Sequence, residues 1–281
     1  MRDDLLPVLA CPVCAEPLGR VDGQVGCGNG HRFDEAKQGH LTLLPAKRRA
    51  LTADTPEMVD ARVRFLGRGH YAPVERALAA VVAAATASGI VLDVGSGPGT
   101  YLAHALQAPD GRPVAAPGAS LEPRLGVALD LSPVAIRRAA RVHVRAGAVV
   151  GDVTERLPVV DGAAAVLLDV FAPRNQTEYA RVLHADGVLV VVTPRAGHLA
   201  ELAEATISVD PEKERRLHDS LSPSFVRRSS EDLTWTMELS AEDVHDVVHM
   251  GPSHHHVAAD AVFRPTAVTA AVTISTWSPA R

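Results

Sequence analysis

Residues 90–100 read Ile-Val-Leu-Asp-Val-Gly-Ser-Gly-Pro-Gly-Thr, a β-branched apolar run followed by three alternating glycines. The run Ile90–Val94 predicts a short buried strand. Glycines at positions 95, 97 and 99 let the backbone turn sharply and approach a ligand that a Cβ atom would repel. The stretch therefore predicts a strand followed by a ligand-binding loop and a helix, the opening unit of an α/β domain.

Strand and helix patterns alternate on either side of this stretch. Thr55 fits a helix N-cap, with Pro56 at the first helical position. Further strands are expected at 125–131, 148–150, 163–170 and 188–193, and helices at 74–86, 101–106, 133–144 and 176–183. Because the strands are apolar throughout, they predict a mostly parallel sheet covered on both faces.

Acidic residues follow three successive strands of this sheet. Asp93 precedes the glycines, Asp130 closes the next strand and Asp152 follows the one after. A dinucleotide site requires G-x-G-x-x-G, whereas this loop reads G-x-G-x-G, which favours S-adenosylmethionine over NAD. Asp130 is then the predicted acceptor for the ribose hydroxyls, and Asp152 with Val153 the predicted adenine contact. A turn or capping role remains the alternative for each carboxylate.

All three cysteines lie in an N-terminal pattern, Cys11-x2-Cys14-x12-Cys27-x3-His31. Two half-sites of this spacing close a tetrahedron, the preferred geometry of structural zinc. Redox chemistry or a disulfide is the alternative. Three cysteines leave one unpaired, however, and the surrounding glycines and prolines are typical of knuckle turns. The pattern predicts a zinc ribbon that holds one structural ion per chain.

Composition narrows the function classes. The chain has 281 residues, 47% hydrophobic, and a formal charge of −5, which argues weakly against a bulk nucleic-acid binder. Basic residues nevertheless cluster at 47–49 and 62–68. We find no secretory signal pattern and no apolar run long enough to span a membrane, so a cytoplasmic protein is expected. The predicted organisation is a zinc ribbon at 1–35, a linker and helix at 36–70, and an α/β domain at 71–281.

Several motifs resemble the bacterial 23S rRNA (guanine-N1)-methyltransferases, and the likeness covers nearly the whole chain. These motifs are Gly30-His31-Arg32-Phe33-Asp34, Gly69-His70-Tyr71-Ala72-Pro73, Leu129-Asp130-Leu131-Ser132-Pro133, Phe171-Ala172-Pro173 and Thr193-Pro194-Arg195. Within the family, the chain is similar to the tylosin-resistance branch. The resemblance implies a Rossmann-like, seven-stranded methyltransferase domain behind a zinc ribbon. It also implies methylation of guanine 748 in the hairpin-35 loop of 23S rRNA, which confers resistance to tylosin-type macrolides.

The resemblance also implies roles for individual residues. The family's zinc ligands match Cys11, Cys14, Cys27 and His31, and its methyl-donor contacts match Tyr71, Gly99, Thr100 and His198. The loop departs from relatives at Ser96 and Pro98. Asp169 stands where the enterobacterial branch has a basic residue, so we do not assign it a catalytic role.

The RNA side is predicted from chemistry. Guanine N1 lies on the Watson–Crick edge, so the base must leave its loop before it reacts, and Phe171 is a candidate stacking platform. Lys47, Arg48, Arg49 and Arg62 are candidate phosphate contacts. The group that takes the N1 proton stays open between Asp169, His198 and water. The run His254–His256 is expected to be a surface loop, and a homodimer is a candidate assembly.

Two rival functions remain at this point. One is a methyltransferase of small molecules, a common use of this fold, against which the ribbon argues. The other is a non-catalytic zinc-ribbon RNA-binding protein, against which the intact glycine loop and its flanking aspartates argue.

Overall fold

The structure, a computed structural model, describes residues 1–44, 53–107, 123–202, 213–251 and 262–280. The N-terminal module is a three-stranded antiparallel sheet of β1 (Leu18–Val21), β2 (Gln24–Cys27) and β3 (Arg32–Phe33), preceded by a 3₁₀ helix at Asp3–Val8. Asp22 and Gly23 join β1 to β2 with φ of 53° and 80°. Two positive φ angles define the tight hairpin turn that an Asp-Gly pair favours. The sequence thus sets the register of the ribbon locally.

Eight strands form the main sheet, in the order β10-β11-β9-β8-β5-β6-β7-β4. They are β4 (Leu41–Thr42), β5 (Ile90–Val94), β6 (Gly126–Asp130), β7 (Ala146–Val150), β8 (Ala164–Val170), β9 (Leu183–Pro194), β10 (Phe225–Leu239) and β11 (Thr266–Pro279). Pairing is parallel from β4 to β9, whereas β11 runs antiparallel to both β9 and β10. The strands β5 to β11 form the Rossmann-like, seven-stranded sheet that the family resemblance implies, and β4, from the predicted linker, is added at one edge.

Seven α-helices and a second 3₁₀ helix, at Ala200–Leu202, complete the described fold. The α-helices are α1 (Pro56–Gly67), α2 (Ala72–Ala84), α3 (Thr100–Ala105), α4 (Pro133–Ala139), α5 (Gln176–Val182), α6 (Lys213–Leu221) and α7 (Ala241–His249). The Thr55 side chain accepts a hydrogen bond from the Met58 amide, which confirms the predicted N-cap of α1. The helix expected at 133–144 ends five residues early, at Ala139.

The two faces of the sheet have separate apolar cores. One face packs against α1 to α4 and α7, with Tyr71, Leu78 and Leu102 fully or almost fully buried. The other face packs against the first 3₁₀ helix, α5, α6 and the ribbon itself. Cys11 and Cys27 lie in the same apolar cluster as Leu92 and Val94 of β5. The ribbon therefore contributes to the apolar core on this face of the sheet.

Candidate functional site

The four predicted metal ligands lie together at the tip of the ribbon. Their ligand atoms all lie within 4.8 Å of one another. Cys14 Sγ and Cys27 Sγ are 3.6 Å apart, and His31 Nδ1 is 3.5 Å from Cys11 Sγ and 3.4 Å from Cys27 Sγ. Zinc–sulfur bonds of about 2.3 Å in a tetrahedron give edges of about 3.8 Å. The donor set and its spacing fit structural zinc.

Local backbone hydrogen bonds place these ligands. The Ala15 amide donates a hydrogen bond to the Cys11 carbonyl. The amide of Gly30, whose φ is 87°, donates one to the Cys27 carbonyl. Each turn thereby aims two side chains at one point. A hydrogen bond from the Glu16 backbone lowers the pKa of the Cys14 thiol to about 6, which favours the thiolate form that binds metal.

The glycine loop follows β5 at the carboxyl edge of the sheet. Gly95, Gly97 and Gly99 have φ angles of 66°, 54° and 82°, a region that residues with a Cβ seldom adopt. A Cβ on Gly95 would lie 2.5 Å from Ala172 Cβ, and one on Gly99 would lie 3.1 Å from Ala139 Cβ. Gly99 caps α3, and Thr100 is its first residue. Glycine is therefore required here by both conformation and space.

Asp93 lies directly beneath this loop with its carboxylate buried. Within the described part of the chain neither of its oxygens has a hydrogen bond of good geometry, and the backbone of Leu102 supplies only a weak one. Burial raises the pKa of Asp93 well above its usual value, and the nearby Asp130 and Asp169 raise it further, whereas the Leu102 amide opposes them. A buried carboxyl group without a strong hydrogen bond suits a cationic ligand that would supply the missing partner. This fits the positively charged methionine end of S-adenosylmethionine.

Asp130 stands at the end of β6 and ties the loop to the next turn. Its two oxygens accept backbone hydrogen bonds from Gly97 and Ser132, each 2.8 Å long. The carboxylate keeps further lone pairs for ribose hydroxyls. Burial raises the pKa of Asp130, and the two amide bonds oppose that shift. The predicted ribose contact therefore also holds the loop in place.

Asp152 shows the turn role that the sequence left open. Its Oδ1 accepts hydrogen bonds from the amide and the hydroxyl of Thr154, at 2.9 and 2.7 Å. The residue lies just beyond β7, at the same sheet edge as Asp93 and Asp130. Its second oxygen and the Val153 backbone remain the predicted adenine contact.

Tyr71 and His198 meet over the sheet edge, although 127 positions separate them. The Tyr71 hydroxyl lies 3.2 Å from His198 Nε2, and Tyr71 is only 2% exposed. His198 Nδ1 accepts a hydrogen bond from the Ala271 amide, 3.1 Å long. Because Nδ1 accepts, a neutral imidazole carries its proton on Nε2 and donates it to Tyr71. Burial raises the pKa of Tyr71, so it stays a neutral phenol.

Phe171 is the exposed member of this aromatic group. Its ring is 40% exposed and stacks on His198, with centroids 6.2 Å apart and an interplanar angle of 28°. The Phe171 backbone is left-handed, with a φ of 56°. Such strain in a non-glycine residue costs about 1–3 kcal/mol and is concentrated at functional sites. The edge of β8 therefore presents a flat ring to solvent, next to the predicted donor site.

Sequence patterns did not indicate Trp235, which completes the group. It comes from β10, packs edge-on against Tyr71 at 5.7 Å and donates a hydrogen bond to the His70 carbonyl. The sequence pattern predicts no strand where β10 lies. No sequence signal links a lone tryptophan at 235 to a tyrosine at 71, since the contact depends on the antiparallel hairpin of β10 and β11.

The basic residues of α1 are not equivalent. Arg64 pairs with the buried Asp246, and Arg68 pairs with Asp243 and Glu242, so these two contacts fasten α1 to α7. Arg62 instead points toward the glycine loop. Lys47, Arg48 and Arg49 lie outside the described residues, as does the run His254–His256. The phosphate contacts at 47–49 stay a prediction.

No helix in the described ranges is long and apolar enough to cross a membrane.

Comparison with known proteins identifies the family of the chain. Residues 9–50 match the family model of the zinc-ribbon N-terminal domain of RlmA. A Streptomyces fradiae protein described as 23S rRNA (guanine(748)-N(1))-methyltransferase is 42% identical over 293 aligned residues, which cover 99% of both chains. A Micromonospora griseorubida protein, with 23S rRNA guanine-N1 methylation as its proposed activity, is 40% identical over 99% of this chain and 100% of its own.

A Bacillus subtilis relative with the same proposed activity, YxjB, is 30% identical over 72% of this chain and 70% of its own. The similarity thus spans the ribbon and the sheet together. On this identity and coverage, the chain belongs to the family of 23S rRNA (guanine-N1)-methyltransferases.

Proposed function

We propose that this protein transfers a methyl group from S-adenosylmethionine to N1 of guanine 748 in the hairpin-35 loop of 23S rRNA. The observation that carries the proposal is the 42% identity, over 99% of both chains, to an enzyme described by that reaction. Methylation there would protect the ribosome against tylosin-type macrolides. The donor's sulfonium supplies a good leaving group, so the protein mainly binds and aligns the reactants.

The edge of the sheet supports the donor part of this proposal. Asp130 would accept the ribose hydroxyls, and Asp93 would face the cationic amino-acid end. Gly95, Gly97 and Gly99 adopt the left-handed φ angles that form the loop around that space. Tyr71, at 2% exposure, would close the pocket from the side of α2.

The exposed ring of Phe171 supports the guanine part. A base removed from its loop gains about 1–3 kcal/mol by stacking on an aromatic side chain. His198 lies behind Phe171, and its hydrogen bonds to Ala271 and Tyr71 fix the plane of its ring. Phe171 and His198 together would hold the guanine plane beside the donor.

The same contacts concern the group that removes the proton from guanine N1. Both ring nitrogens of His198 are engaged, and Asp169 has no exposed surface and accepts a hydrogen bond from the Tyr179 hydroxyl. Asp169, His198 and water stay the candidate acceptors for that proton.

The ribbon and residues 47–49 would hold the RNA stem through phosphates, which gives affinity without choice of base. A second copy of the chain as partner stays a prediction.

A labelling competition tests the proposal against its rivals. The full-length, zinc-loaded protein is incubated with tritiated S-adenosylmethionine, a hairpin-35 transcript, a matched transcript with adenine at position 748, and a small-molecule extract. We expect label only in the guanine transcript. Label in small molecules would support the metabolite methyltransferase, and RNA binding without label would support the non-catalytic protein.

A further inference from the structure

Arg62 lies against the glycine loop. A Cβ on Gly97 would lie 3.0 Å from Arg62 Nη1, so the guanidinium lies directly over the glycine loop. Nη1 forms a 2.6 Å ion pair with Asp54, and Nη2 donates a hydrogen bond to the Met250 carbonyl. The Arg62 side chain is 23% exposed. A cation is therefore held against the loop by one residue before α1 and one after α7.

Arg62 and the predicted ribose contact meet at the same residue of the loop. Gly97 lies against the Arg62 guanidinium, and its amide donates a 2.8 Å hydrogen bond to Asp130 Oδ2. Consistent with this, Arg62 opposes the rise in the pKa of Asp130 that burial causes. The guanidinium therefore borders the predicted donor site.

Charge complementarity indicates what this cation would bind. The donor carries a sulfonium, an ammonium and one carboxylate. Asp93, buried beneath the loop, is the predicted partner for the ammonium, which leaves the carboxylate without one. A guanidinium matches a carboxylate in both charge and planar geometry.

We propose that Arg62 binds the α-carboxylate of the methyl donor, and that Asp54 holds the guanidinium in position for it. The assignment rests on the donor site of the proposed function and replaces phosphate binding as the role of Arg62. Ser132 donates a hydrogen bond to the Asp54 carbonyl, 3.2 Å long, so the same segment is also tied to the turn after Asp130.

Two ligands that differ only in the carboxylate test the proposal. S-adenosylhomocysteine and its decarboxylated analogue are titrated calorimetrically into the wild type, Arg62→Ala, Arg62→Lys and the control Arg64→Ala. We expect Arg62→Ala to weaken S-adenosylhomocysteine binding about 10- to 100-fold, the range for hydrogen bonds to charged groups. Binding of the analogue should change less than about threefold, because it has no carboxylate to lose.

The other variants separate folding from binding. Arg62→Lys should recover part of the affinity, since it keeps the charge but loses the planar fork. Arg64→Ala should lower the melting temperature without distinguishing the two ligands, because Arg64 contacts α7 rather than the loop. Hairpin affinity without donor should be unchanged in Arg62→Ala.

Each contrary result has a distinct meaning. Equal losses for the two ligands, or no loss for either, would overturn the role of Arg62. Lost hairpin affinity without ligand discrimination would return Arg62 to the phosphates. A wild-type protein that does not bind S-adenosylhomocysteine would remove the donor site, and the proposed function with it.

Discussion

The zinc ribbon and the proposed methyl-transfer pocket are built in opposite ways. Four ligands within 21 consecutive residues, Cys11 to His31, define the ribbon, and short turns aim them at one point. The pocket instead joins Tyr71, Phe171, His198 and Trp235, which come from four parts of the chain. A local pattern can thus be recognised from spacing alone, whereas a pocket assembled by sheet topology cannot.

The two regions are nevertheless coupled through packing. Cys11 and Cys27 share an apolar cluster with Leu92 and Val94, the buried side chains of β5 on either side of Asp93. The ribbon is therefore part of the domain's second core rather than a tethered module. Loss of the metal should therefore lower the melting temperature of the whole protein. The proposed donor-binding groups lie at the carboxyl end of β5 and in the loop that follows it.

The largest expected effect comes from removing a zinc ligand. Cys14→Ala should reduce bound zinc from one per chain to a trace and abolish hairpin binding. It should also lower the melting temperature by at least about 5–10 °C, since structural zinc contributes folding free energy directly. Elemental analysis and thermal melting measure the two outcomes. The control is His31→Cys, which keeps four zinc ligands and should retain the metal.

A zinc-free Cys14→Ala protein that melts like the wild type would show that the ribbon does not support the sheet. The affinity of Cys14→Ala for S-adenosylhomocysteine should fall far less than its affinity for the hairpin, because the ribbon holds RNA and not the methyl donor.

An intermediate effect is expected beneath the glycine loop. Asp93→Asn should weaken S-adenosylhomocysteine binding about tenfold or more, because the ammonium loses a charged partner. The same change should raise the melting temperature at neutral pH, since it removes a carboxyl group that is costly to bury. Calorimetry and thermal melting at several pH values would measure both.

The pH dependence follows from the raised pKa of Asp93. Between its usual value near 4 and its raised value, the folded protein keeps the proton that the unfolded chain has lost, so wild-type stability falls as pH rises through that window. The stability advantage of Asp93→Asn should therefore vanish near pH 4 and grow above it. An advantage that is constant with pH would contradict the raised pKa.

The smallest effect should come from the platform. Phe171→Ala should lower kcat/KM for the hairpin about 5- to 100-fold, the loss of one stacking contact, and leave S-adenosylhomocysteine affinity unchanged. Because the ring is 40% exposed, the melting temperature should hardly move. Phe171→Trp keeps a stacking surface and is the matched control. A lower melting temperature with normal turnover would make Phe171 a packing residue.

Short sequence patterns predict the features that depend only on neighbouring residues. The strand at 90–94, the Thr55 cap and the four metal ligands follow from spacing and capping, and the structure has them all. The helix predicted at 133–144 is longer than the observed one, because the apolar and basic residues that follow Ala139 lie in a turn.

The features that the sequence does not predict depend on contacts between residues far apart in the chain. The charges of Arg62 and Arg64 look alike in sequence, yet one lies over Gly97 and the other pairs with Asp246, 182 positions away. The hairpin of β10 and β11, which supplies Trp235 and fixes His198 through Ala271, had no clear pattern in the sequence. Which side chains share the sheet edge depends on topology, and topology is not encoded in any single window.

Position-resolved mass spectrometry of the product RNA tests the central claim most directly. The wild-type protein reacts with the hairpin-35 transcript and S-adenosylmethionine, and nuclease fragments are then analysed together with primer extension. We predict one added methyl group on the fragment that contains guanine 748, with reverse transcription arrested there because a methyl on N1 blocks Watson–Crick pairing. A methyl group on another nucleotide, or one at 748 that leaves primer extension unimpeded, would contradict the account.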